Sequence, residues 1–110
     1  MLLAEPGSLL LADLVVAECA YVLESFYELG RDRVADVMRA AIGLPNVETL
    51  DAALLLRALE VYEIDRLDFA DAYLVAQAEA TGVDIVSFDR SIDRVGTVRR
   101  RSHEGALTPC

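Results

Sequence analysis

Lysine is absent from this chain, and all ten basic residues are arginine. Against them stand 19 Asp and Glu, giving a formal net charge of −9 and a pI near 4.4. That balance excludes binding of nucleic acid through a general basic surface. It does not exclude an enzyme that grips phosphates through metal ions. Arg99, Arg100 and Arg101 form the only basic run. Two readings of it stand: a solvated C-terminal segment, or a contact for RNA or an acidic partner. Cysteine is scarce too. Cys19 and Cys110 are too few and too far apart for a disulfide framework, and Cys19 reads as a small buried hydrophobe. With His103 the only histidine, zinc has no ligand set. No apolar run reaches the roughly 18 residues of a membrane span. The first residues lack a basic leader, and Asp13 and Glu18 interrupt the apolar run that follows, so no signal peptide is expected. A cytoplasmic protein is expected. Linkers, low-complexity tracts and repeats are also lacking.

What remains is a chain of 110 residues with 55% apolar composition, enough for one domain with its own core. Periodicity divides it. Residues 1–5 suit the end of a helix, Pro6-Gly7-Ser8 a turn, and residues 9–12 a strand. Asp13 is expected to cap a helix closed by Gly30, with Val15, Cys19, Val22 and Phe26 on its apolar face. A second helix runs from Arg31 or Asp32 through Ile42, broken by Gly43 and Pro45. Residues 47–50 suit a strand, and Asp51 caps a helix through about Tyr62. After Gly96, residues 96–98 suit a last edge strand, and residues 99–110 a flexible tail. Helix and strand alternate, which predicts an α/β fold with a mainly parallel sheet.

The stretch from Leu67 to Asp89 organises this pattern. Leu67 to Thr81 has helical spacing, with Asp68 opening the helix and Gly82 stopping it. Val83, Ile85, Val86 and Phe88 then suit a strand buried on both faces. Asp89 falls where that strand would end, and ligands of open α/β sheets bind beyond the carboxyl ends of strands.

Three acids stand out. Glu18 has Leu14, Val15 and Val22 as helical neighbours, so it lies at or beside the apolar stripe. It is either an edge residue reaching water or a carboxylate aimed inward at a metal or a proton. Asp71 sits in a first helical turn. The helix dipole alone explains an acid there, yet Leu67, Leu74 and Val75 surround it. Asp89 is either a turn residue or a strand-end ligand. Three carboxylates within ~5 Å would repel by about 3 kcal/mol per pair at an effective dielectric near 20. Protonation or a cation must neutralise such a group. Oxygen ligands favour Mg²⁺ or Mn²⁺, which lower the pKa of bound water and steady charge on phosphate.

The segment Ala12-Asp-Leu-Val-Val-Ala-Glu18-Cys-Ala-Tyr-Val-Leu-Glu24 resembles the second-acid helix of PIN-domain ribonucleases, in particular VapC-type toxins. Leu67-Asp-Phe-Ala-Asp71-Ala-Tyr-Leu-Val-Ala resembles their third-acid motif, and Val86-Ser87-Phe-Asp89-Arg their fourth. The resemblance covers nearly the whole chain. It implies a three-layer α/β/α fold and an endoribonuclease dependent on Mg²⁺ or Mn²⁺. Glu18, Asp71 and Asp89 would hold the metal and activate water, and Ser87 would support the site by a hydrogen bond. It also implies an RNA substrate, a VapB-type antitoxin as partner, and a homodimer. In one respect the chain departs from the pattern. The family's first strand, which ends in the first acid and is central in the sheet, has no counterpart here. An incomplete domain is therefore expected over residues 1–110. A catalytically inactive PIN-like remnant that only binds protein stands as the alternative. A small acidic interaction module whose three acids are caps is a third reading.

Overall fold

The computed structural model describes residues 7–86, 92, 93 and 95–101. Strand β1 (Leu9–Leu10) leads into helices α1 (Asp13–Ser25) and α2 (Arg31–Ile42), then strand β2 (Val47–Glu48). Helices α3 (Ala52–Ile64) and α4 (Phe69–Thr81) follow, then strands β3 (Ile85–Val86) and β4 (Arg100–Arg101). The α/β class with parallel strands is what the periodicity predicted. Leu9 pairs with Val47 and Leu10 with Glu48, in parallel. Ile85 pairs with Arg100 and Val86 with Arg101, also in parallel. Among the described residues these are two separate pairs, not one sheet.

Helix packing makes the core. Val16 and Ala20 of α1, Val34 and Met38 of α2, and Leu55, Leu59 and Tyr62 of α3 are buried together with Phe69, Ala72 and Val75 of α4. Ile85 of β3 joins them. No buried polar or charged residue lies among those described. Nor is any helix among them long and apolar enough to cross a membrane. α3 and α4 form an antiparallel-type hairpin with a short connection, and Arg57 of α3 ties it with two hydrogen bonds to Glu79 of α4, both 2.7 Å. This contact holds the Glu79 carboxyl below the usual carboxylate range.

Several helix ends differ from expectation. Asp51 does cap α3, accepting from the Leu54 amide at 3.0 Å. Gly82 does end α4, in the left-handed region at φ 75° where a side chain is strained. Asp13, by contrast, lies inside α1, and Ala12 holds the cap position. Asp68 holds the cap position of α4 without a side-chain bond to its amides. α1 stops at Ser25 because Glu28 turns left-handed, at φ 54°. Gly30 therefore opens α2 instead of closing α1. Residues 96–98 form a turn, and the last strand lies at Arg100–Arg101. Arg100 grips Asp93 there through two hydrogen bonds of 3.0 and 3.1 Å.

One side chain ties the helices at a common point. Arg31 donates from Nη1 to the carbonyls of Tyr62 at 2.9 Å and Leu67 at 2.6 Å. Its guanidinium carbon lies 4.6 Å from the Tyr62 ring centroid, and its Nη2 lies 3.8 Å from Glu24 of α1. Lysine has the charge but neither the planar fork nor the stacking face. Arg31→Lys should therefore destabilise the fold by about 1–3 kcal/mol, read as a lowered midpoint in urea unfolding. An unchanged midpoint would show that the junction adds nothing to stability.

Candidate functional site

Glu18 projects from the middle of α1 and is exposed. Its backbone position is opposite Val16 and Ala20, the buried face of the helix. An ionised carboxylate there incurs no burial cost. Beside it runs an open apolar groove between α1 and α2, lined by Leu11, Val15, Val22 and Val37. Cys19, at the same groove, is half-buried and reduced. The apolar stripe beside Glu18 leaves its direction open in the sequence because α1 is apolar on most faces. Leu14, Tyr21 and Phe26 are 72%, 67% and 75% exposed.

Asp71 lies in the first turn of α4 and is half-buried. That turn presents free backbone N–H groups, so a carboxylate there is stabilised in its charged form. Buried Leu67, Ala72 and Val75 flank it. Ser87 and Asp89 lie outside the described residues. Among the described residues no group of three or more His, Cys, Asp or Glu comes together.

A second polar constellation escaped the sequence reading. Tyr73 of α4 donates its hydroxyl proton to Asp13 Oδ2 at the start of α1. That bond, with burial, pushes the Tyr73 hydroxyl up to about 12, and the charge of Asp51 adds to the effect. Asp13 Oδ1 is buried and has no hydrogen-bond partner. At the other end of α1, Tyr62 donates to Glu24 Oε1 at 2.7 Å, and burial together with Glu24 raises its hydroxyl above the ordinary range. The sequence signal for Tyr73 and Tyr62 was their apolar spacing, which hid the hydroxyls. The sequence offers Asp13 only as a helix cap and gives Glu24 no role of its own.

With this geometry established, the family can be assigned. The model of the PIN domain matches residues 2–98. The chain belongs to the PIN domain family. No curated protein matches it, and no solved structure does. Membership carries a nuclease-type function, and PIN domains generally use divalent metals and bind RNA. The match spans Glu18, Asp71 and Asp89 together with the helices that carry the first two.

The bond across α1 and α4 gives a direct test. Tyr73→Phe removes the donor and leaves both oxygens of the Asp13 carboxylate unpartnered. It should cost about 1–3 kcal/mol of stability. The double variant with Asp13→Ala should lose less than the sum of the single effects in a double-mutant cycle. Strict additivity would show the two groups to be uncoupled.

Proposed function

We propose that this PIN domain is a metal-dependent endoribonuclease toxin of VapC type, hydrolysing RNA phosphodiester bonds. The observation that carries the reading is the family match over residues 2–98, which contains all three acid motifs in order. Glu18, Asp71 and Asp89 would hold Mg²⁺ or Mn²⁺, and Ser87 would orient the group through its hydroxyl. The ion, when bound, supplies Lewis acidity and a water acidic enough to act near neutral pH.

The donor chemistry suits such an ion. Carboxylate oxygens are hard ligands, matched to Mg²⁺ and Mn²⁺. Glu18 is exposed, and Asp71 stands in the first turn of α4, where the helix dipole suits an anionic ligand group. The described residues supply two of the three acids. With a net charge of −9, the protein repels RNA at long range. These carboxylates must therefore be neutralised by a cation where a phosphate approaches.

The partners we propose are a VapB-type antitoxin and a second copy of the chain. Support comes from the apolar exposure of α1 and the segment after it, where Leu14, Tyr21, Phe26 and Tyr27 are each at least 67% exposed. Large apolar side chains exposed together on one helix and the segment after it suit an interaction site.

Cleavage of a single-stranded RNA probe with Mn²⁺ present tests the enzymatic reading. Activity should vanish with EDTA and return with added metal. Glu18→Gln, Asp71→Asn and Asp89→Asn should each reduce the rate by about 10²-fold or more, and Ser87→Ala by about 10-fold. Variants as fast as their parent would refute the assignment of roles. A folded protein that binds a partner but never cleaves would favour the inactive, binding-only reading.

A further inference from the structure

Asp13 is the one described residue with a buried side-chain oxygen that has no hydrogen-bond partner. Such an acceptor on an acidic group is costly. An open cavity of about 290 Å³ adjoins it, walled by Leu14, Phe69 and Tyr73. Ala17, Phe69 and Ala70 line this cavity and also a second one of about 280 Å³. The second is bounded by Tyr21, Glu24 and Asp68. The two make one groove between α1 and α4. Its middle is floored by small residues, its walls are aromatic, and both ends are acidic. Glu24 already faces Arg31. Asp68 is exposed and bonds no helix amide, so it supplies the available charge at that end.

We propose that this groove docks a basic helical segment of a partner polypeptide, with one Arg or Lys at Asp13 and another at the Glu24–Asp68 end. A guanidinium or ammonium at this end meets the negative charge of the Asp13 carboxylate, which lines the cavity. The faces of Tyr73, Phe69 and Tyr21 suit a cation, and they also cover the apolar stem of a long basic side chain. Alanine at positions 17 and 70 lets a second backbone approach closely. Asp13 and Glu24 are eleven residues apart on one helix, which separates the two basic groups by about 16 Å. RNA is disfavoured by the acidic ends. Glu18, Asp71 and Asp89 do not line the groove. Docking here stands or falls apart from the nuclease reading.

The test uses the full chain and two alanine-rich helical peptides. One has two arginines eleven residues apart, the other two glutamates. Fluorescence anisotropy should show binding of the arginine peptide alone, weakening as salt is raised. Asp13→Asn, which keeps the acceptor for Tyr73, should weaken it about 10-fold, as should Asp68→Asn. Ala70→Trp, at an exposed position shared by both cavities, should abolish binding while the melting curve stays that of the parent. Equal binding of both peptides, or unchanged affinity in Ala70→Trp, would overturn the proposal. So would an RNA oligonucleotide that binds in the groove and is lost in Ala70→Trp.

Discussion

The Arg31 guanidinium is the constraint from which the helical arrangement follows. It stands at the start of α2 and reaches the last turn of α3, the α3–α4 connection and Glu24 of α1. The carbonyls at a helix C-terminus have no intrahelical donor, and a cation there also meets the favourable end of the helix dipole. One planar side chain therefore satisfies an orphan acceptor on α3 and fixes the ring of Tyr62, whose hydroxyl in turn binds Glu24. Tyr62 then packs edge-on against Phe69, at 6.3 Å between centroids and 61° between planes. Through that chain of contacts, the position of α4, and so of Asp71, depends on a residue two helices away.

The same frame explains why α1 carries so much of the surface chemistry. Only Val16 and Ala20 of this helix are buried. Its other faces are shared between the groove with α2, where Glu18 sits, and the groove with α4, where Asp13 and Glu24 sit. An acid on each of these faces, set among exposed apolar side chains, is poorly explained by solubility. It suits a helix that meets a cation on one side and a polypeptide on another. The strands contribute little to this. Each described strand has two residues, so the pairing of β1 with β2 and of β3 with β4 adds few bonds beyond the helical packing.

Much of the fold was legible from spacing alone. α2, α3 and α4 lie within two residues of their expected bounds, since each has an unambiguous stripe or a stop such as Gly82. The end of α1 was not legible. Its pattern runs on to Tyr27, and only the left-handed backbone at Glu28 breaks it, at a residue with no bias towards that conformation. The last strand was misplaced because Thr97 and Val98 have β-type side chains whereas Arg100 and Arg101 do not. Tertiary pairing with Ile85 and Val86 outweighed that preference. For the site, motif order singled out Glu18 and Asp71; spacing left Glu18 either at the water-facing edge of the apolar stripe or aimed inward, and it is exposed. Asp13 and Tyr73 were invisible as a pair because their contact joins residues 60 apart.

The central claim is that Glu18, Asp71 and Asp89 serve one divalent ion. Paramagnetic relaxation by Mn²⁺ tests it most directly, in the ¹⁵N spectrum of the intact chain. Substoichiometric Mn²⁺ should broaden the amides of all three residues together, with Mg²⁺ in excess restoring them, while Glu79 and Asp84 stay sharp. Broadening that spares any of the three, or that follows the other surface acids equally, would contradict the account.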